Sequence, residues 1–502
     1  MNHPIYKKMA WTYPLLILAL LTAVTTAFGQ GEGGNLYLPI VLNGGSGQTT
    51  PTPPVGITPT VTPVGNPTAT VAPPRRDQSV FGVAAESAST ADDIALIGDA
   101  GVDWLRPGPA VDWAAVEPVE GARDWSALAV FEAQALSANA QGQSIIATIG
   151  GTPDWALLEP GSGKCGPLAT DKMPAFAAFL QDLVGRYSRP PYNVRDWELW
   201  DKPESLNCWG SEDALFGNGG VFYALMLQTA YPTIHAVDPY ATVWMGPLEL
   251  RCSTVTGGED CLRADTFLKA ALRSGGDYLD GIAFHANDGL SIAEVPWGVS
   301  FQYNNGLWQS AWNTTGPAVH VKTAYLNDVI AQIGRENGMP TKDLLAHVAE
   351  QCPCGGESFP EFEAGKANYV AQVYTTAIAN GLRAAVWQSW QGPYMTGLRY
   401  GDGSLTPSYS AMQTAAALLE GAVYSGQIPA AEQLPPGVQG YRFTRADSEI
   451  WFLWYASTAA EQVSPGFDEL PLAAWDVLGN ALDTESVVLS VDHPVYVQFP
   501  LP

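Results

Sequence analysis

The pattern of apolar and polar positions divides the 502-residue chain into three regimes. An apolar run from Pro14 to Ala23 lies behind Lys7 and Lys8 and ahead of the small residues Ala27 and Gly29, the layout of a cleavable secretory leader over residues 1–29. The run falls short of the ~20 residues that cross a bilayer, so cleavage is expected rather than anchoring. No other stretch reads as a membrane span. Residues 30–76 hold a short apolar patch, Leu36 to Leu42, and then a tract of Thr, Pro, Gly and Val that cannot bury a core and predicts an extended linker.

From Arg76 onward short apolar runs alternate with helical stretches, the signature of repeated βα units. Strands are predicted at Val80–Ala84, Trp104–Arg106, Ser144–Ile149, Asp196–Trp200, Thr242–Met245, Gly281–His285, Leu345–Ala349 and Ala384–Trp390. Helices are predicted between them, among others at Trp125–Ala140, Met173–Tyr187, Gly220–Val237, Asp265–Ser274, Val321–Asn337 and Ala364–Asn380. Eight such units predict an α/β fold, a TIM (β/α)8 barrel over residues 77–420. A doubly wound open sheet is the weaker alternative, because no glycine fingerprint follows the first strand. In residues 421–502 the helical period fades, and Gly440–Tyr455, Ala474–Val477, Ser486–Val491 and Val495–Phe499 alternate like antiparallel strands, predicting a small C-terminal β domain.

Charge narrows the partners. Fifty acidic against 24 basic residues give a net charge of −26, which argues against nucleic acid and anionic membrane surfaces. The chain's 17 Trp and 20 Tyr suit core packing and sugar platforms alike. In an exported chain six cysteines are disulfide candidates. Cys165 and Cys208 lie in loops after the third and fourth strands, Cys252 and Cys261 flank the loop after the fifth, and Cys352 and Cys354 follow the seventh. They lack a regular zinc-ligand spacing, so no metal and no other cofactor is expected. Asn313-Thr314-Thr315 is a glycosylation sequon.

In a TIM barrel the residues just past the C-terminal ends of the strands face one another. Collected here, they are Arg106, Trp155, Asp201, Lys202, His285, Asn287, Glu350, Trp387 and Trp390. The segments Trp113-x-x-x-Glu117-Pro118-x-x-Gly121-x-x-Asp124-Trp125, Thr152-Pro153-Asp154-Trp155-Ala156 and Trp197-Glu198-Leu199-Trp200 resemble the retaining glycoside hydrolases of clan A, in particular the β-xylosidase and iduronidase-like branch. The resemblance covers about residues 80 to 400. It implies a carbohydrate partner, Glu350 as nucleophile, Arg106 as the arginine that holds it ionised, and Trp387 or Trp390 as the floor of the sugar subsite. Trp155, His285 and Asn287 would bind substrate, with Asn287 near where a tyrosine often steadies the nucleophile.

The end of the fourth strand departs from that pattern at two positions, and the second decides the chemistry. The family's fourth strand ends Trp-Asn-Glu-Pro, with the Glu as general acid/base; here Asp201 and Lys202 stand in place of the Asn and the Glu. With a reference pKa of ~10.4, lysine is a reluctant proton donor and cannot serve afterwards as the carboxylate that activates water. Ordinary retaining hydrolysis needs two carboxyl groups about 5 to 5.5 Å apart and is therefore not supported. An ion pair between Lys202 and Glu350 is expected, in a protein that binds or acts on a carbohydrate. The alternative is an active glycosidase with Asp201 or Glu204 as substitute acid, or a substrate whose leaving group needs no proton. Glu198, deeper on the strand, is expected to neutralise Lys202 or another buried cation.

Overall fold

The eight predicted strands form and close on themselves. The computed structural model describes residues 79–86, 90–250, 259–288, 318–350, 360–392, 395–428, 434–455, 462–490 and 493–501. The expected leader and linker lie outside them, as do Cys252, Cys352, Cys354, the sequon at Asn313 and the side chains of Cys261 and Glu350. Strand β1 (Phe81–Ala85) pairs in parallel with β2 (Trp104–Pro107), β2 with β3 (Ser144–Gly150), and β3 with β4 (Asp196–Leu199). The series continues through β5 (Thr242–Leu248), β6 (Gly281–Asp288), β7 (Asp343–Glu350) and β8 (Ala384–Trp387), which returns to β1. Helices α1 (Ala91–Asp99), α2 (Ala129–Ala140), α3 (Met173–Tyr187), α4 (Gly220–Val237), α5 (Glu259–Gly275), α6 (Ala318–Asn337), α7 (Pro360–Ala379) and α8 (Pro407–Leu419) follow the strands in turn. The protein is a TIM barrel. Among the described residues no helix is long and apolar enough to cross a membrane.

Local sequence explains the elements. Helix α3 starts with a proline in its first turn and buries Phe176, Phe179, Leu180, Leu183, Val184 and Tyr187, the three- and four-residue spacing of one helix face. Thr90 and Asp93 form a reciprocal capping box at the start of α1. Along each strand, alternate residues point inward. Trp104, Ile146, Trp244 and Leu345 fill the barrel interior beside the small Ala84, Ala283 and Ala384, while Val83, Leu105 and Ile145 face the helices. The two indoles take the volume that the alanines leave, so the lower barrel is a packed core and not a pore.

The C-terminal part forms a separate antiparallel sheet. Its strands are β9 (Val423–Gln427), β10 (Val438–Thr444), β11 (Ser448–Tyr455), β12 (Ala473–Asp476), β13 (Ala481–Leu482) and β14 (Val495–Pro500), in the order β9-β10-β11-β14-β12-β13. The stretch predicted as one span, Gly440–Tyr455, is a hairpin turned at Arg445 to Asp447. The strand predicted at Ser486–Val491 is absent over its described residues, where only the single pairings Val463 with Leu489 and Ser490 with His493 occur. Along β11, Ile450, Phe452 and Trp454 join the barrel's outer core, while Leu453 belongs to a second core with Val495, Val497 and Phe499. Arg445 fixes the sheet to α8 by donating to Leu418 O at 3.1 Å.

The loops that carry the site are tied at the strand ends. A disulfide joins Cys165 and Cys208, two of the six disulfide candidates, across the loops after β3 and β4. Trp200, fully buried between them, donates to Cys165 O at 2.7 Å. Where β4 and β5 meet, Gly246 N–H donates to Tyr223 Oη, which itself donates to Leu199 O at 2.6 Å. A Cβ at Gly246 would run into the backbone carbonyl oxygens of Trp200 and Leu199. Because a backbone obstacle cannot rotate away, Gly246→Ala is expected to cost at least about 2 kcal/mol in urea unfolding. A variant as stable as the parent would mean that the two strands do not approach this closely.

Candidate active site

Two residues above the apolar layer, the same strands turn polar. Trp104 is followed inward by Arg106, Ile146 by Thr148, Ala283 by His285 and Leu345 by His347, and β4 contributes Glu198 at the same level. Glu198 is fully buried and accepts from Thr148 Oγ1 at 2.7 Å and Arg106 Nε at 3.1 Å. Its other oxygen lies 2.6 Å from His347 Nε2. Burial alone would raise its pKa, but the charges of His347 and Arg106 and the hydrogen bonds overcome this and hold it at about 2. Arg106 reaches on to Glu86, past the end of β1, at 3.1 Å.

Above this layer lies the rim. Asp201 Oδ1 is 2.8 Å from His285 Nε2, and the Asp201 side chain is 46% exposed. Partial desolvation pushes the Asp201 carboxyl up, but the His285 hydrogen bond and the charge of Arg106 outweigh it and hold the group well below the usual carboxylate range. Burial pushes the His285 imidazole down to about 4, against the pull of Asp201. His285 is thus neutral near pH 7, its Nε2–H facing Asp201 and its Nδ1 without a partner among the described residues. Lys202 turns the other way. Its Nζ is 3.4 Å from Glu249 Oε1, just past β5, and both side chains are more than a third exposed. Glu204 accepts from Leu250 N–H at 2.9 Å, its second oxygen buried and without a partner among the described residues. Burial, and then the neighbouring charge of Glu249, pushes its pKa up to about 7.

The predicted residues therefore separate. Arg106, Asp201, Lys202 and His285 converge at the barrel mouth. Glu350 ends β7 opposite Asp288 of β6, and Asn287, the residue before, has its buried Oδ1 without a partner among the described residues. Lys202 lies beside Glu249, its expected pairing with Glu350 rests on a side chain outside the described ones, and Arg106 bonds Glu198, Thr148 and Glu86. Trp155 packs edge-on against Trp113 and donates to Glu117 O at 3.0 Å, with Lys172 Nζ 5.5 Å from its ring. Trp387 and Trp390 are fully buried, donating to Thr396 O and to Asp93 Oδ1 respectively, so neither ring shows an open face. Sequence reasoning passed over Glu249 and His347. Each had a signal: Glu249 is the first carboxylate after the fifth apolar run, and His347 is the polar residue within the seventh.

No family model matches the chain, and no curated protein sequence matches it. Solved structures do. One is a family 39 glycoside hydrolase from the gut symbiont Bacteroides cellulosilyticus WH2, with a TM-score of 0.60 and 19% identity over 83% of this chain and 80% of the other. Another is a glycoside hydrolase family 30 subfamily 8 xylanase from Clostridium acetobutylicum, at 0.51 and 14% over 84% and 93%. A third is an α-L-arabinofuranosidase from Thermotoga maritima, at 0.52 and 12% over 84% and 97%. The chain shares its barrel architecture with these glycoside hydrolases. At such identities the likeness is one of architecture, and the chemistry of this glycoside-hydrolase-like barrel has to be argued from its own residues.

The two buried glutamates shift in opposite directions, which separates them in a pH titration of stability. Glu198 titrates at about 2 in the fold against an ordinary 4.5, so its contribution is complete above pH ~4.5 and is lost as the pH falls towards 2. Glu204 titrates at about 7 against 4.5, so it makes folding less favourable as the pH rises from about 4.5 through 7. In urea unfolding, Glu198→Gln is expected to lose about 3–5 kcal/mol at pH 7 and progressively less below pH 4. Glu204→Gln is expected to flatten the decline between about pH 5 and 8 and to exceed the parent in stability at pH 8. An unchanged slope in Glu204→Gln would show that this carboxyl is not the group that titrates.

Proposed function

We propose that this chain binds or acts on a carbohydrate at the mouth of its barrel, and that the end of β4 no longer supplies the acid of ordinary retaining hydrolysis. The observation that carries the reading is the Lys202 side chain, held at the rim 3.4 Å from Glu249, at the position where the resembled hydrolases carry their proton donor. The fold supports a glycan as ligand, since the structural neighbours include a xylanase and an arabinofuranosidase. Pentose-containing oligosaccharides are accordingly the first compounds to try.

The reading in which another carboxyl takes over the acid role meets opposite obstacles at its two candidates. Asp201 is accessible, but its carboxyl is held ionised by His285 and Arg106. Glu204 keeps a proton to near neutrality, but it is 6% exposed and turned onto Leu250 N–H. A general acid must both carry the proton and reach the leaving oxygen. Neither residue meets both conditions. Export is part of the proposal, supported by the leader-like N-terminus and by a disulfide between the loops after β3 and β4.

Purified protein titrated with xylo- and arabino-oligosaccharides is expected to bind at least one of them saturably, and Asp201→Ala is expected to weaken that binding about tenfold or more, at ~1.4 kcal/mol per decade. Lys202→Glu is expected to gain turnover of unactivated glycosides by about 10²-fold, the usual worth of a positioned acid. Glu350→Gln should abolish turnover and leave binding in place. Wild-type protein that cleaves unactivated glycosides, and loses this in Glu350→Gln, would overturn the loss of the acid. Absence of both binding and turnover would overturn the carbohydrate reading itself.

A further inference from the structure

We propose that Glu204 is a proton-operated latch between the rim loops that follow β4 and β5: with its proton the carboxyl stays buried against Leu250 N–H and holds the mouth together along that seam, and without it the seam loosens. The proposal adds regulation to the carbohydrate reading above, and its functional arm rests on that reading. Strands β4 and β5 are parallel neighbours, with Asp196 to Leu199 in register with Thr242 to Met245, so the residues just past them meet at the rim. Glu204, 6% exposed, reaches across and accepts from Leu250 N–H at 2.9 Å. Lys202 makes the second crossing, with Nζ 3.4 Å from Glu249 Oε1 and its N–H on Pro247 O at 2.9 Å. The loops so joined carry Asp201 and Lys202 on one side and Glu249 on the other, all partly exposed at the mouth.

The two sides of the seam are held unequally. The loop after β4 is fixed by the disulfide between Cys165 and Cys208 and by its own turns, in which Ser205 N–H donates to Lys202 O and Trp209 N–H to Pro203 O, each at 3.0 Å. Past β5, Glu249 and Leu250 are tied by Lys202, by Glu204 and by Lys322 of α6, whose Nζ donates to Glu249 O and to His285 O, each at 2.8 Å. Lys322 thus binds the end of β5 to the end of β6, and it is the side towards β4 that depends on Glu204. Leu250 also takes left-handed backbone, at φ 46°. A non-glycine residue stays in that region only while its surroundings hold it there, and the bond from Glu204 falls on its own N–H.

The proton decides whether the latch is stable. The second oxygen of Glu204 is buried without a partner among the described residues, which a neutral carboxyl tolerates far better than a carboxylate. The charged and titratable groups around it bring no relief. Glu249, from the end of β5, adds like charge. Lys202, on its own loop, is turned onto Glu249, and Lys322, from α6, onto the two carbonyl oxygens. Tyr223, from α4, is bonded to Leu199 O and Gly246 N–H and kept neutral by its burial, while Asp201 and Glu198 are bonded to His285 and to Arg106. Burial first and then Glu249 push the Glu204 carboxyl up to about 7, against backbone N–H groups led by that of Leu250. With the loops apart the carboxyl would meet water and titrate near its ordinary 4.5, so the latched arrangement binds the proton more tightly. The latch is therefore at full strength below about pH 4.5, weakens by up to about tenfold per pH unit from there to about 7, and levels off above.

The test is amide hydrogen exchange of the purified protein, read at Leu250 and along β3 and corrected for the intrinsic pH dependence of exchange. Protection of the Leu250 amide is expected to fall at least about tenfold between about pH 5 and 7, and to lie below that of the β3 amides throughout, since the seam opens without global unfolding. Glu204→Gln, which keeps an acceptor for Leu250 N–H and cannot ionise, is expected to hold the acid-side protection across the range, and Glu204→Ala to have lost it at every pH. Titration with xylo- and arabino-oligosaccharides over the same range supplies the functional arm. Asp201 and His285 both titrate below that window, so a decline in wild-type affinity that is absent from Glu204→Gln belongs to the latch. Protection independent of pH, the same slope in Glu204→Gln, or exchange at Leu250 as slow as in β3 would overturn the proposal. Glycan affinity that stays level while the exchange slope is present would overturn the hold of the latch on the mouth. The exchange slope in protein that binds no glycan takes down the carbohydrate reading and leaves the latch standing.

Discussion

The carboxylate of Glu198 is the group on which the upper barrel depends. It is fully buried on β4, yet it is bonded to Arg106 of β2, Thr148 of β3 and His347 of β7. Arg106 extends the connection to Glu86 past β1, and Gln388, past β8, lies 3.5 Å from His347. A charge in such a place is tolerated only because every side of it is answered. Removing one partner leaves the others buried and unpaired, so any arrangement that breaks one of these bonds is penalised. The rim above inherits that rigidity: His285 rises from the same layer to hold Asp201, and its ring lies 5.4 Å from that of His347.

The architecture could be read from the chain because each strand buries both faces, one against the barrel interior and one against a helix. Runs such as Ser144 to Gly150 then stand out by apolarity alone. The ends of strands were harder. The fifth run was expected to stop at Met245. In the barrel Gly246 instead sits under the carbonyls of Trp200 and Leu199, and Pro247 O accepts the Lys202 N–H. The strand therefore runs on to Leu248, and Glu249 becomes a rim residue.

Direction failed in a related way at Lys202. Continued two-residue periodicity from Glu198 would put it on the inward face, but β4 ends at Leu199, and Trp200 and Lys202 take left-handed backbone, at φ 65° and 49°. A non-glycine residue in that region is uncommon, and here the tie to Pro247 and the burial of the Trp200 indole compensate for it. The expectation for Glu198 did better, since a buried cation was what it was expected to neutralise and Arg106 is that cation. What sequence could not give is the sorting of the carboxyls. Asp201 and Glu204 are three residues apart with the same chemistry, and only the hydrogen bond to one and the burial of the other send their ionisation in opposite directions.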